Sequence, residues 1–178
     1  HPVYVGDPVN VLSIFNDFEV DEMLIIDIEA SRRKSLIQFD RLAHYASEAF
    51  VPLAYGGGVE RLEDAERLIK IGYEKVLLNT AIIENPEFVK SAVRVLGSQA
   101  VVAGVDIRVL DGEPRVFTRS GSELSELTLE QWCSHASALG VGEVLITSID
   151  REGGREGIDL DTVARVVALV DVPVIAHG

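Results

Sequence analysis

One feature constrains this chain more than any other: it repeats itself at a fixed distance. The stretch EMLIIDIEAS (residues 22–31) matches EVLITSIDRE (143–152), and the offset is 121 residues. The same offset sets VPLAYGG (51–57) over VPVIAHG (172–178). Each stretch is a short apolar run followed by small or polar residues. Two separated units that recur at one spacing point to a fold made of two similar halves.

Six such runs punctuate the chain: 23–28 (MLIIDI), 51–55 (VPLAY), 75–78 (KVLL), 100–107 (AVVAGVDI), 143–149 (EVLITSI) and 172–176 (VPVIA). Their nearly continuous hydrophobicity is how strands buried on both faces read, as in parallel sheets. Helix signals fill the gaps. Asp7-Pro8 and Asn85-Pro86 each pair an N-cap with Pro at the first helical position. Residues 61–71 place Leu62, Ala65, Leu68 and Ile69 on one helical face and end at Gly72. Thr128 opens a helix through Leu139, with Gly140 after it, and Asp159 or Asp161 opens one through Val170. Between strand and helix, Asp111-Gly112 predicts a small hairpin after the fourth run.

Strands alternating with helices imply βαβ units and a parallel sheet. The repeat favours the α/β class in its closed form, a (β/α)8 TIM barrel of two four-unit halves. The six runs then read as strands two to seven, with strand one expected before His1 and strand eight after Gly178. A barrel of this type takes about 250 residues, so residues 1–178 read as a single barrel domain truncated at both ends, inactive alone.

Composition narrows the partners. Sixteen basic residues face 29 acidic ones, a net charge of −13, which argues against a nucleic-acid surface. The apolar fraction of 47% argues against disorder, and no run is long enough to span a membrane. A single cysteine excludes a disulfide framework and, with no signal-peptide pattern, fits the cytoplasm. The four histidines show no metal-ligand spacing, and no dinucleotide fingerprint follows a strand, so neither metal nor cofactor is expected.

In a barrel the active site lies at the C-terminal ends of the strands. That selects Asp27, Glu29 and Ser31; Gly56, Gly57 and Gly58; Asn79 and Thr80; Asp106; Thr147, Ser148 and Asp150; and Gly178. The three glycines read either as a tight strand-to-helix turn or as an anion cradle of backbone N–H groups. Asn79 and Thr80 either join that cradle or cap a helix. Gly178, the repeat partner of Gly57, suggests a second cradle. Asp106 ends a very apolar strand, where a carboxylate serves as general acid or base, or is structural and held by backbone or Arg108. Asp27 reads more readily as structural, and Asp150 as a local turn residue. His177 ends a strand and is a further candidate. At the opposite rim, Glu22, Lys75 and Glu143 open strands and form either a stabilising ion-pair ring or a functional cluster.

These residues meet a known pattern. GDPV (6–9), VDEMLIIDIEAS (20–31), PLAYGGGVERLEDAERLI (52–69), EKVLLNTAIIENPE (74–87), GSQAVVAGVDIR (97–108), FTRSG (117–121), GVGEVLITSIDREGGREGIDLD (140–161) and VPVIAHG (172–178) follow one another in order. Together they resemble the cyclase subunit of imidazole glycerol phosphate synthase, of the histidine-biosynthesis barrel family. The resemblance implies a lyase-type cyclase that takes ammonia from a glutaminase (glutamine amidotransferase) partner. It adds that ammonia to a bis-phosphorylated ribulosyl formimino aminoimidazole carboxamide ribonucleotide, yielding imidazole glycerol phosphate and an aminoimidazole carboxamide ribotide. It implies that Asp106 is one of two catalytic carboxylates, the other lying on strand one. It implies one phosphate cradle at Gly58, Asn79 and Thr80 and a second beginning at Gly153 and Gly178. Ser120 and Gly121 match a loop near the substrate. Glu22, Lys75 and Glu143 match three of four residues that gate ammonia at the barrel bottom.

The chain also departs from that pattern. Glu29, Ala54, Leu77, Glu152 and His177 stand where the family has other residues, several of them in the substrate cup, and Glu74 replaces an Asp beside the gate lysine. The opening segment is also similar to a paralogue group that uses channelled ammonia to amidate or aminate a sugar for surface polysaccharide. A reading of another class is a non-catalytic barrel fragment that binds phosphate or a glutaminase.

Overall fold

The computed structural model describes residues 6–30 and 36–178; Ser31 lies outside the described residues. In chain order the elements are α1 (Pro8–Asp17), β1 (Met23–Ile26), α2 (Phe39–Glu48), β2 (Leu53–Gly56), α3 (Leu62–Lys70), β3 (Lys75–Leu78), α4 (Thr80–Glu84) and α5 (Pro86–Leu96). They continue with β4 (Val101–Leu110), β5 (Glu113–Thr118), β6 (Glu123–Leu124), α6 (Leu129–Leu139), β7 (Glu143–Ser148), α7 (Leu160–Val167) and β8 (Val174–His177).

The helices begin where capping chemistry places them. Asp7 accepts from the Val9 N–H at 2.9 Å and Asn85 from the Phe88 N–H at 3.3 Å, each with Pro following. Thr128 and Gln131 form a reciprocal capping box on α6, and the Asp159 carboxylate takes both the Thr162 N–H and its hydroxyl on α7. The α3 helix carries Glu63 and Asp64 in its first turn and Arg67 and Lys70 in its last, which suits the helix dipole. The α7 helix stops at Val167, short of the expected Val170, because the N–H groups of Ala168 and Leu169 close the turn onto Ala164 and Val166.

Six strands run parallel in the order β1-β2-β3-β4-β7-β8 and curl into a half-barrel. The predicted hairpin is present. Upper β4 turns back through Asp111-Gly112, both at positive φ, into antiparallel β5, which pairs with β6. The fourth strand is longer than its apolar run because Arg108–Leu110 pair with β5.

Strand side chains alternate between two environments. Tyr55, Val76, Val101, Ala103, Val144 and Ile146 pack against the helices in one large core that includes a fully buried Trp132. Leu77, Val102 and Leu145 form a separate buried cluster on the other face, inside the half-barrel. The two outer strands of the described sheet are more exposed. Leu24, Ile26 and Ile175 are each more than a third exposed, because β1 and β8 each have one parallel neighbour among the described residues.

The sequence repeat is a structural repeat. Met23 and Leu53 are register partners, and so are Val144 and Val174, 121 positions later. The Met23 N–H donates to the Pro52 carbonyl at 2.9 Å, and the Val144 N–H to the Pro173 carbonyl at 3.0 Å. At the top of each unit a glycine rests on the neighbouring strand. A Cβ on Gly57 would lie 2.6 Å from the Asp27 carbonyl oxygen, and one on Gly178 3.0 Å from the Ser148 carbonyl oxygen. Both have positive φ, so glycine is required twice over.

Candidate active site

A cavity of about 1320 Å³ opens at the C-terminal ends of the parallel strands. Asp106, Gly57, Gly58, Asn79, Thr80, Ser120 and Thr147 all line it. Asp106 is partly buried where β4 leaves the inner layer. Burial pushes its carboxyl up to about 6, against hydrogen bonds from the Asn79 side chain and the Gly121 N–H and the nearby charge of His177. Arg108 does not hold Asp106. It pairs with Asp150 at 3.1 Å, and Asp150 also accepts from the Val109 N–H at 3.1 Å, so from its place in the turn after β7 Asp150 also ties two strand ends together. A carboxyl that titrates near 6 both gives and takes protons close to neutrality.

The loop after β5 closes over this carboxyl. Arg119, Ser120 and Gly121 all have positive φ, which turns the chain inward toward Asp106. The Arg119 N–H donates to the Thr80 hydroxyl at 3.1 Å, and the Ser120 hydroxyl to the Ile28 carbonyl at 3.2 Å. The Arg119 guanidinium reaches Glu84 at 2.9 Å. Asn79 precedes α4 without capping it through its side chain, which serves Asp106 instead. Asp27 behaves structurally: its Oδ1 accepts from the N–H groups of Glu29 and Ala30 at 3.1 and 3.0 Å. Gly153 lies in the exposed turn after β7 and does not line the cavity, while Gly178 packs beside Ser148.

Among the cavity-lining residues outside the candidate cradles are two that depart from the family pattern. His177 lines it at the end of β8, and Glu152 lines it from the turn after β7. Oε2 of Glu152 lies 3.4 Å from Nδ1 of His177. The sequence signal was the strand-end position of His177 and the two departures from the family pattern. Among the described residues no group of three or more His, Cys, Asp or Glu is placed to hold a metal ion. Cys133 is fully buried in α6, and burial pushes its thiol up to about 11, so it is a packing residue.

The other rim carries the ion cluster. Lys75 Nζ lies 2.7 Å from Glu22 Oε2 and 2.7 Å from Glu143 Oε1, bridging the bottoms of three strands. All three side chains are mostly buried. Partial burial opposes the Lys75 charge, but hydrogen bonds to Glu143 and Glu22 outweigh it and raise the ammonium above its ordinary value. The third strand links the two ends of the half-barrel. Lys75 begins it and Asn79 follows it, about 13 Å apart at strand rise.

An α/β half-barrel with a polar cup at its strand C-termini and an ion cluster at the opposite rim places the chain in the class of α/β-barrel proteins. Residues 1–178 match the family described as histidine biosynthesis protein, and the chain belongs to that family. It is 36% identical to the imidazole glycerol phosphate synthase subunit HisF of an Exiguobacterium species, over 98% of this chain and 68% of the relative. It is 39% identical to the HisF subunit of Alkaliphilus metalliredigens, over 97% of this chain and 69% of that one. It is also 39% identical to a Pseudomonas aeruginosa chain provisionally named imidazole glycerol phosphate synthase subunit hisF2, over 99% of this chain and 71% of that one.

Proposed function

We propose that this chain is the cyclase part of an imidazole glycerol phosphate synthase, with its six parallel strands serving as strands two to seven of an eight-unit barrel. What supports the reading is a carboxyl raised by burial to about 6, Asp106, at one end of strands whose other end holds the Lys75 cluster. Ammonia released by a glutaminase docked at the bottom rim passes Glu22, Lys75 and Glu143. It continues along the apolar inner face, past Leu77, Val102 and Leu145. An apolar passage admits neutral ammonia and excludes ammonium, whose desolvation is costly.

In the cup, ammonia attacks a carbonyl carbon of the ribulosyl moiety, and Asp106 supplies or removes protons as the C–N bond forms. A raised carboxyl suits that work. Backbone N–H groups at Gly57 and Gly58, with Asn79 and Thr80, hold one substrate phosphate. Backbone donors suit a chain with a net charge of −13, because they bind anions without adding cations.

A second reading keeps the ammonia chemistry and changes the acceptor to a sugar of surface polysaccharide. The His177–Glu152 pair favours it, since it stands beside Gly178, where the second phosphate cradle would begin.

The deciding experiment uses the complete gene product. It should turn over the ribulosyl intermediate with ammonium salts, and Asp106→Asn should slow that turnover on the order of 10²-fold or more. A folded protein with no turnover would refute the histidine reading in favour of the second. Lys75→Met should impair glutamine-dependent activity more than ammonia-dependent activity, and equal losses would remove the gate role.

A further inference from the structure

Residues 119–122 join β5 to β6 at the tip of a hairpin, and such tips ordinarily run over the surface. This tip turns in over the cup. Arg119 and Ser120 line the cavity together with Asp106 and Thr80. The turn is made in an unfavourable conformation. Arg119, Ser120 and Gly121 have φ of 52°, 55° and 74°, three consecutive residues in the left-handed region. Only the third is a glycine, and a Cβ there would meet Cδ1 of Ile149 at 2.8 Å. A side chain held at positive φ persists where its surroundings over-determine it.

Some of the holding contacts lie within the hairpin. The Ser122 hydroxyl donates to the Arg119 carbonyl at 2.8 Å, and the Ser122 N–H to the Thr118 carbonyl at 3.1 Å. These close the turn on itself but do not fix where it points. Other contacts reach out of the hairpin. The Ser120 hydroxyl donates to the Ile28 carbonyl at 3.2 Å. Arg119 reaches both ends of α4: its N–H donates to the hydroxyl of Thr80, the first residue, and its guanidinium to Oε2 of Glu84, the last, at 2.9 Å. Arg119 Nε also lies 3.1 Å from Oε2 of Glu123 on β6. The cation thus stands between carboxylates of two elements, which makes it a cross-link. With its charge already matched, it is poorly placed to be a ligand for a substrate anion.

The position of the tip matters to the carboxyl beneath it. Asp106 receives hydrogen bonds from the Asn79 side chain and from the Gly121 N–H, and His177 is the charged neighbour. Asn79 sits at the end of a strand, whereas Gly121 is placed by the turn alone.

We propose that Arg119 is a positioning residue: its double hold on α4 keeps the left-handed turn over the cup, so that the Gly121 N–H stays on the Asp106 carboxyl. The proposal rests on the reading of Asp106 as the acid–base group of the cup. It also joins that group to the phosphate cradle, because the Thr80 hydroxyl accepts from Arg119 and keeps its own proton to donate to a ligand.

Glu84→Gln gives the sharpest test, because charge and position predict opposite signs. Removing a negative charge from the rim lowers the Asp106 midpoint, whereas loss of the Gly121 N–H raises it. A ¹³C titration of the Asp106 carboxyl in the complete gene product, without substrate, should give a midpoint near 6 in wild type and a higher one in Glu84→Gln. Circular dichroism shows that each variant is folded. An unchanged or lowered midpoint in folded Glu84→Gln would overturn the proposal. In ammonia-dependent turnover of the ribulosyl intermediate, Arg119→Gly should lower kcat on the order of 10-fold with KM nearly unchanged, and Arg119→Lys should restore most of the loss. A rise in KM with kcat intact would make Arg119 a substrate ligand and also overturn the proposal. A folded wild type without turnover would refute the cyclase reading alone, and the titration would still decide the role of Arg119.

Discussion

The two repeat units, β1 with β2 and β7 with β8, share their register, their Pro carbonyl contacts and their terminal glycines, but they treat their upper ends differently. The first unit uses its polar residues on itself. Asp27 folds back onto the N–H groups of Glu29 and Ala30, and Gly56 makes room for Leu77. The second unit turns its polar residues outward. Asp150 ties down Arg108, and Thr147 and His177 face the cavity. Within one backbone plan, both units line the cavity, the first with Asp27 and its glycines and the second with Thr147 and His177. Shared register therefore does not mean shared function; which side chain occupies the inward position decides that.

This comparison can be broken at the glycines. Gly57→Ala should destabilise the protein by about 3 kcal/mol, combining steric overlap with backbone strain. Gly178→Ala should cost about half as much, because its closest contact is longer, 3.0 Å against 2.6 Å. Chemical denaturation of both variants measures the pair, and equal costs would show that the two caps are mechanically alike.

The next effect separates chemistry from scaffold. Burial raises the Asp106 carboxyl from the ordinary carboxylate range to about 6. A carboxyl raised in the folded state favours folding while it is protonated. That contribution is complete below about pH 4 and is lost as pH rises through 6. Asp106→Asn should therefore stabilise the protein above pH 7 by about 1–3 kcal/mol, with the gain vanishing near pH 4. Melting curves at the two pH values check this. A stability cost at pH 7.5 would mean that the carboxylate is a net structural asset.

The smallest effect sits in the first unit. Asp27→Ala should cost about 1 kcal/mol in stability by releasing two N–H groups at the turn after β1. Ammonia-dependent kcat should stay near wild type. A large loss of kcat would move Asp27 from scaffold to chemistry and close the gap between the units.

Much of this was legible along the chain. Caps at Asp7, Asn85, Thr128 and Asp159 lie within three residues of the N–H groups they satisfy, so local sequence reveals them. The hairpin at Asp111-Gly112 is equally local. The Lys75 cluster was legible only as strand-start positions together with a family resemblance, because its members lie 53 and 68 residues apart. Asp150 was legible as a turn residue, but its tie to Arg108, 42 residues away on another strand, was not. The Gly121 loop was legible only through the family resemblance, and the closeness of Glu152 to His177 only as a strand-end position and two departures from the family pattern.

The sequence by itself determined the alternation of strands and helices, the two-fold repeat and the places where helices begin, because periodicity and capping act over a few residues. Only the tertiary structure decided which strand ends face one cavity, that burial raises Asp106 to about 6, and that His177 stands in a row with it. Those properties depend on desolvation and on register between strands. Both arise only when distant segments are brought side by side.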